Sequence, residues 1–294
     1  VIRRVMPTVI ANELVGVQPM TGPVGQIHTL RVRYADATTG GATNIATGDE
    51  ALSPFKIAAS YSGNDSDPAK GSATATLEGA AGNKLNVQIL KQVVEAKSRK
   101  LSARWTFEAA QDAQAQQGID IEAEIMAALA QEITAEIDQE ILTSLRSLAG
   151  TAAGAFDQSA VSGTATFVGD EHAALAVLIN EQANLIAQRT RRGAGNYAVV
   201  SSEALTILQS ATTSAFARST EGVFEAPTNT KFVGTLNNSM RVYVDGYAAS
   251  GTDVLVGYKG SSEADAPAFY CPYIPLMSSG VVLDPSTFEP VVSF

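Results

Sequence analysis

The sequence predicts a protein of mixed helices and strands, of the α/β or α+β class. Three features indicate it: a strand-like alternation at 26–34, one long amphipathic helix at 119–148, and a run of short strands and helices between about 164 and 255. With 294 residues and 45% hydrophobic content, the chain is long enough for one large domain or two ordinary ones with buried cores.

The first 25 residues predict an extended arm. They include Pro7, Pro19 and Pro23 and show no helical pattern longer than a turn or two. We therefore expect residues 1–25 to lie against another part of the molecule or against a neighbour.

A long two-stranded ribbon is expected next, over 26–94. Residues 26–34 alternate apolar and polar side chains, which predicts a half-buried strand with Leu30, Val32 and Tyr34 on one face. Residues 84–94 are strand-like again, and the segment 36–83, rich in Gly, Ala, Thr and Ser, separates the two. Such long loops are uncommon in compact domains, and an isolated two-stranded ribbon is marginal in water. We therefore expect a neighbouring molecule to order this ribbon.

One long helix is predicted over 119–148, about 45 Å in length at 1.5 Å per residue. Apolar residues recur every four positions, with no Gly or Pro between them, at Ile121, Ile125, Leu129, Ile133, Ile137, Ile141 and Leu145. Asp120 can cap its start, and Glu122 and Glu124 lie in its positively polarised first turn. A spacing of four advances each side chain by about 40° around the axis, so the stripe winds and suits a curved sheet.

Shorter elements surround this helix. We predict helices at 106–117, 170–189 and 202–209, and strands at 197–200, 240–244, 253–257 and 290–294. Gly118 should end the first of these helices. The aromatic and proline-rich segment after about residue 256 is expected to return to the first domain.

Composition excludes several classes of protein. A net charge of -10 and a pI near 4.7 argue against a protein that wraps nucleic acid, because phosphate neutralisation needs clustered Lys and Arg. Cys271 is the single cysteine, which excludes an intrachain disulfide and a cysteine zinc site. No apolar stretch approaches the roughly 20 residues that span a bilayer, so we expect no membrane association.

Candidate chemical groups are few. His28 and His172 lie far apart, without a Cys or carboxylate at metal-ligand spacing, so we interpret both as ordinary residues. Glu132, Glu136 and Glu140 lie one helical turn apart and could gather a divalent cation or form an acid–base pair. Without an accompanying Glu-x-x-His motif, a solvated helix face is the better interpretation. Repulsion between the like charges is small and could be offset by basic groups of a neighbour, for which a partner subunit is one candidate. We predict no catalytic residue, no cofactor and no metal site.

Two further segments give weaker signals. Residues 257–261 (GYKGS) have the residue types of a phosphate-binding loop in the wrong order. Arg189, Arg191 and Arg192 form the densest basic patch, which fits either a nucleic-acid contact or an inter-subunit salt-bridge loop.

Three colinear segments resemble the major capsid protein family of T-even-type contractile-tailed phages. The first is 16–26 (GVQPMTGPVGQ). The second joins 104–112 (RWTFEAAQD) to 118–124 (GIDIEAE), and the third joins 256–263 (VGYKGSSE) to 268–273 (AFYCPY). The segments are in the right order and span most of the chain, which makes the resemblance specific.

The resemblance implies the HK97-type capsid fold, of the α+β class. Its parts would be an N-terminal arm at 1–25, an extended loop with flanking strands at 26–94, a peripheral domain at 95–163 with the spine helix 119–148, an axial domain at 164–255, and a return to the peripheral domain at 256–294. In this family, arms and extended loops lie across neighbouring subunits, which would account for a ribbon with little to bury against in its own chain.

The implied function is that of a major capsid protein, not an enzyme, which self-assembles as hexamers into an icosahedral head shell. The shell would enclose phage DNA without sequence-specific binding, assemble in the host cytoplasm and remain in the virion. The implied partners are other copies of the chain, within and between capsomers, and the vertex pentamer protein. Scaffold, maturation protease and decoration proteins are further candidates, whereas no membrane is expected.

Three alternatives stay open at this point. The pentameric vertex protein of the same phage type shares the fold, and a cellular nanocompartment shell protein shares it without the three segments. A metal-dependent hydrolase built on Glu132, Glu136 and Glu140 is an alternative of another class.

Related subunits often carry an inserted domain in the extended loop, for which the ribbon of this chain is too short.

Overall fold

The computed structural model describes residues 10–38, 44–51, 61–63, 71, 73–79, 81–152, 154–156, 168–210, 216–218, 232–237, 239–248 and 253–294. Its helices are α1 (Ala11–Leu14), α2 (Thr74–Leu77), α3 (Phe107–Gln117), α4 (Ile121–Ala149), α5 (Val168–Thr190) and α6 (Ser202–Ser210). Its strands are β1 (Gly16–Val17), β2 (Val24–Tyr34), β3 (Leu85–Glu95), β4 (Ser102–Arg104), β5 (Tyr197–Val200), β6 (Phe216–Arg218), β7 (Phe232–Leu236), β8 (Met240–Val244), β9 (Val254–Gly257), β10 (Phe269–Tyr270), β11 (Val282–Leu283) and β12 (Pro290–Ser293).

Contacts divide the chain into two units. The larger unit comprises Val1–Thr21, Ala96–Asn184 and Ala194–Phe294, and the smaller one comprises Gly22–Glu95 and Leu185–Gly193. The division into arm, extended loop, peripheral domain and axial domain that the sequence suggests stays a prediction.

The larger unit centres on a five-stranded mixed sheet of order β6-β7-β8-β5-β9. Strand β5 pairs parallel with β8 and antiparallel with β9. All four of its residues are buried, as is typical of an inner strand that is covered on both faces. The sequence predicted β5, β8 and β9 but missed β6 and β7, because β6 has only three residues and Gly234 interrupts β7.

Alternation along β5 separates two apolar layers. Ala198 and Val200 belong to a core cluster that α5 and α6 complete. Tyr197 and Val199, on the opposite face of the same strand, belong to a second cluster with residues of α1 and α4. The sheet therefore lies between two helical layers.

Helix α4 confirms the predicted long helix to within two residues at each end. The side chain of Asp120 accepts a hydrogen bond of 3.1 Å from the backbone N–H of Glu122, as its predicted role as a cap requires. The predicted apolar stripe was only partly right about the buried face. That face comprises Leu129, Ile133, Asp138, Leu142 and Leu145, whereas Ile137 and Ile141 are half-buried. A step of five after Ile133 returns the buried series to one side of the helix, because a spacing of four drifts around the axis.

The buried Asp138 of α4 holds the start of α1. One of its carboxylate oxygens accepts hydrogen bonds from the backbone N–H groups of Ile10, at 3.0 Å, and Ala11, at 2.7 Å. Ile10 and Leu14 then pack in the same cluster as Leu142. The described part of the predicted arm is therefore fixed to the larger unit by a carboxylate and by apolar packing.

Two small sheets connect early and late parts of the larger unit. Strand β1 pairs parallel with β10, and β12 lies between β11 and β4 with antiparallel pairing on both sides. The final segment of the chain thus pairs with strands that precede α3 and α4.

The smaller unit contains a ribbon of eleven-residue strands, β2 and β3, paired antiparallel from Val24 opposite Glu95 to Tyr34 opposite Leu85. The sequence predicted both strands, but the expectation of a half-buried β2 was wrong over most of its length. Leu30 is 67% exposed, and only Tyr34 at the end of the strand is buried. The physical reason is that a two-stranded sheet forms a single layer and offers no second layer for its side chains.

The base of the ribbon has a small core that the sequence did not reveal. The rings of Tyr34 and Tyr61 lie 4.6 Å apart, and Thr38 and Ile45 are buried and paired by backbone hydrogen bonds. The Tyr61 hydroxyl donates to the carbonyl oxygen of Lys84 at 2.5 Å. The segment between the strands is therefore anchored near Tyr34; much of the rest of it, including 52–60 and 64–70, lies outside the described residues.

No helix within the described residues combines the length and the apolar character needed to cross a membrane.

Replacing Leu142 by Ala should destabilise the larger unit by about 2–5 kcal/mol, because its side chain is fully buried between α1 and the sheet. Leu148→Ala on the same helix is the matched control, since Leu148 is 69% exposed, and it should change stability by less than about 0.5 kcal/mol. Urea denaturation followed by circular dichroism measures both. Equal effects of the two substitutions would contradict the assigned buried face of α4.

Candidate interaction surfaces

The two faces of the ribbon differ sharply in chemistry. Residues directly opposite each other in an antiparallel pair share a face, so the register assigns every side chain of β2 and β3 to one side. One side, called here the apolar ribbon face, carries the apolar side chains Val24, Leu30, Val32, Tyr34, Leu85, Val87, Ile89 and Val93, together with Gln26, His28, Lys91 and Glu95. The other, called here the polar ribbon face, carries Thr29, Arg31, Arg33, Asn86, Gln88 and Gln92, together with Gly25, Ile27, Leu90 and Val94.

The apolar ribbon face is largely uncovered in the single chain. Ile89 is 70% exposed, Leu30 67% and Val87 65%. Covering one such side chain completely is worth roughly 1.5–3 kcal/mol. A continuous exposed surface of this kind marks a site of interaction with another molecule.

Two basic side chains lie within this apolar surface. His28 is directly opposite Lys91, between the apolar pair Leu30–Ile89 on one side and Val93 on the other. Glu95, opposite Val24, is the acidic side chain at the far end of the same face. A partner of this face should therefore be apolar and offer a negative charge near its centre.

A second exposed apolar set belongs to the larger unit. It lies mostly in the last thirty residues and consists of Phe107, Ile274, Leu276, Met277, Val281, Val282, Leu283 and Phe288. The rings of Phe107 and Phe288 lie 5.8 Å apart at 47°, which places the start of α3 beside the turn that joins β11 to β12.

The start of the first sequence segment meets the third in the larger unit. Gly16 of β1 lies so close to the backbone of Glu263 that a Cβ atom would overlap its carbonyl oxygen. The backbone N–H of Val17 donates to the Glu263 carboxylate at 2.9 Å, and that of Gly16 donates to the carbonyl of Ala268 at 3.1 Å. The first and third segments therefore form one paired structure and require a glycine at the contact.

Specific contacts also shape the loop after β9. The Asn196 side chain donates to the Lys259 carbonyl at 2.5 Å and accepts from the Lys259 N–H at 3.0 Å. A Cβ atom at Gly257 would overlap the ring of Tyr197, and one at Gly260 would overlap the Asp265 carboxylate. These contacts explain the glycines of the GYKGS sequence as packing requirements.

The predicted chemical groups are not brought together. His28 is exposed on the ribbon, whereas His172 lies in α5 with its Nδ1 atom 2.5 Å from the Ser210 hydroxyl. Arg99 of the same chain forms ion pairs with Glu136, at 2.8 Å, and with Glu140. The offsetting positive charge, for which a partner subunit was one candidate source, thus comes from the same chain, from the segment before β4. Among the described residues, no group of three or more His, Cys, Asp or Glu side chains is arranged to hold a metal.

The arginine patch spans the end of α5, because Arg189 lies in the last turn of the helix and Arg191 and Arg192 follow it. Arg191 has a left-handed backbone conformation with a φ of 51°, and the three side chains are exposed at the surface. The choice between a nucleic-acid contact and an inter-subunit contact stays open.

Sequence reasoning missed a buried polar contact between α4 and the sheet. The Asp245 carboxylate accepts hydrogen bonds from Arg146, at 2.8 Å, and from Gln139, at 3.2 Å. Asp245 is 3% exposed and directly follows β8. A charged residue at the end of a buried strand was the available signal, because such a residue needs a partner.

Burial raises the pKa of Tyr197, beneath the loop after β9, from 10.0 to about 12. A raised pKa favours the neutral phenol in the folded state, so its contribution to stability is fully present below pH 10 and is lost as the pH rises towards about 12. Between these values the wild-type protein should lose up to about 3 kcal/mol more stability than Tyr197→Phe. Urea denaturation of both proteins at several pH values measures the difference. Parallel curves would contradict the burial of this hydroxyl.

Comparisons with known proteins agree on one family. The model of the family described as Major capsid protein Gp23 matches residues 1–294. The Major capsid protein of Vibrio phage KVP40 is 33% identical over 378 positions, covering 100% of this chain and 73% of the relative. That of Enterobacteria phage T4 is 30% identical over 380 positions, covering 100% and 72%. Both alignments are longer than the 294 residues of this chain, so these relatives carry segments that it lacks.

Solved structures agree on the fold. The capsid of Myoviridae Phage XM1 matches with a TM-score of 0.53 at 13% identity, covering 100% of this chain and 87% of that chain. The mature capsid of bacteriophage PhiM1 matches with a TM-score of 0.51 at 12% identity, covering 100% and 83%. At these identities the likeness concerns the fold alone, and it confirms the α+β capsid fold.

Proposed function

Because the chain belongs to the Gp23 family of major capsid proteins, we propose that copies of it join as hexamers to build the icosahedral head shell of a contractile-tailed phage. It is a structural protein of the virion capsid. The likeness to the XM1 and PhiM1 capsids supports self-association as the way in which this fold is used.

The observation that carries the proposal is the uncovered apolar ribbon face. Ile89, Leu30 and Val87 are all at least 65% exposed, in a two-stranded sheet that has no second layer of its own. A second copy of the chain would supply that layer. Contacts between unlike surfaces of identical subunits close into rings when the rotation between subunits allows it, as hexamers require.

We further propose that the protein is not an enzyme. His28 and His172 belong to separate elements, and Arg99 neutralises two of the three glutamates that a hydrolase would need. These contacts make the hydrolase alternative unfavourable. The vertex-protein alternative is not favoured either, because the curated relatives are major capsid proteins.

Further partners are proposed from membership of the family, and no contact within the chain identifies them. We propose the vertex pentamer protein, scaffold, maturation protease and decoration proteins as partners, and packaged DNA as contents held without sequence-specific binding. The net charge of -10 supports the last point, since it opposes tight wrapping of phosphates.

A charge on the apolar ribbon face should prevent assembly. We expect Ile89→Glu to leave the unassembled chain folded but to abolish the shells or rings that the wild-type protein forms, because a carboxylate would be buried at the contact. Negative-stain microscopy and sedimentation velocity measure the particles, and limited proteolysis of segment 36–83 reports whether the ribbon is covered.

Gln88→Glu is the matched control, because Gln88 is the exposed neighbour that points to the polar ribbon face. It should assemble like the wild-type protein. A wild-type chain that stays monomeric at all concentrations would disprove shell building, and equal behaviour of the two variants would contradict the role assigned to the apolar face.

A further inference from the structure

The turn between β11 and β12 presents an aromatic side chain at an energetic cost. Phe288 has a φ of 59°, in the left-handed region that bulky residues rarely adopt, and its side chain is 70% exposed. Such strain costs on the order of 1–3 kcal/mol. Burial of the ring within its own chain does not offset this cost, so a contact outside the chain is the natural explanation.

The strained turn is firmly built. The backbone N–H of Phe288 donates to the carbonyl of Asp284 at 2.8 Å, and the N–H of Asp284 donates to the carbonyl of Glu289 at 3.0 Å. The N–H and hydroxyl of Ser286 both donate to the Asp284 carboxylate, at 2.9 and 2.7 Å. These bonds, the backbone one first, lower the pKa of Asp284 from its ordinary value. The backbone of the turn is therefore held in place before any partner arrives.

The surroundings of the ring are apolar and acidic. Phe107 lies against it, and Glu108, Asp284 and Glu289 flank the two rings in sequence. Glu289 forms an ion pair of 3.7 Å with Arg104, which leaves the turn with an excess of negative charge. The partner should therefore be apolar with a basic group.

The apolar ribbon face has this chemistry. Its exposed side chains include Leu30 and Ile89, and Lys91 and His28 lie beside them. We propose that the Phe288 turn of one copy docks on the apolar ribbon face of a second copy, with the acidic groups of the turn directed towards Lys91. This inference rests on the proposed function, since it names the two surfaces through which copies of the chain bind each other.

Phe288→Gly separates docking from folding. Glycine adopts a positive φ without strain, so the melting temperature of the unassembled chain should stay the same or rise. The loss of the ring should raise the critical concentration for assembly at least tenfold. Asn237→Gly is the matched control, because Asn237 is also exposed and has a φ of 51°, and it should assemble at the wild-type concentration.

Two outcomes would overturn the inference. One is assembly of Phe288→Gly at the wild-type concentration, and the other is a clear fall in its melting temperature, which would show that the ring serves its own turn. If the wild-type chain does not assemble at all, the proposed function itself fails. The two failures are therefore distinguishable.

Disulfide trapping identifies the surface that receives the turn. In a Cys271→Ser background, a tagged Phe288→Cys chain is mixed with an untagged Ile89→Cys chain at a concentration above the raised critical concentration, so that assembly proceeds without the ring and a mixed disulfide can form only between copies. We expect this mixed dimer under oxidising conditions, and much less of it with Gln88→Cys, on the opposite face of the same strand. Two results would contradict the docking while leaving shell building intact. One is that particles form but Phe288→Cys does not cross-link to Ile89→Cys, and the other is that it cross-links equally to Ile89→Cys and Gln88→Cys.

Discussion

The packing of α4 against one face of the five-stranded sheet holds the larger unit together. Leu142 and Leu145 meet Tyr197, Val199 and Tyr243 of the sheet. Leu14 of α1 and the residues that flank this helix, Ile10 and Val15, complete the same cluster. Arg146 and Gln139, also of α4, bond the buried Asp245. Because removing one partner would leave a buried charge uncompensated, this contact fixes the position of the helix along the sheet. Helix α1 takes its position from the same helix, because Asp138 of α4 accepts hydrogen bonds from the backbone N–H groups of Ile10 and Ala11.

The smaller unit, unlike the larger one, leaves most of its described apolar side chains uncovered. Its strands satisfy each other's backbone groups, but its apolar side chains have no layer to pack against, apart from the small core around Tyr34, Ile45 and Tyr61. The ribbon therefore keeps about seven apolar side chains available for another molecule. The Phe288 turn is a smaller surface of the same kind. Its backbone is strained and its ring is exposed, and the folding of the single chain provides no reason for either. A subunit that must bind copies of itself needs such surfaces.

Local patterns made much of this structure predictable. Helix α4, its Asp120 cap, strand β5 and the two ribbon strands follow from periodicity, capping chemistry and β-branched content. The buried face of α4 did not, because a repeat of four drifts while Asp138 interrupts the apolar series for a contact remote in sequence. The ion pairs of Arg99 and the Asp245 contact were likewise beyond local reasoning, since they join residues separated by 37 positions or more. The two exposed surfaces followed only from the absence of neighbours in the folded chain, whereas the three sequence segments sufficed for the family.

If a second copy of the chain completes the apolar ribbon face, electron cryo-microscopy of the assembled particle at side-chain resolution will show the contact. We expect Leu30, Val87 and Ile89 of each copy to be buried against a neighbouring copy, although they are largely exposed in the single chain. A shell in which these side chains face solvent, with subunits joined through other surfaces, would contradict that contact.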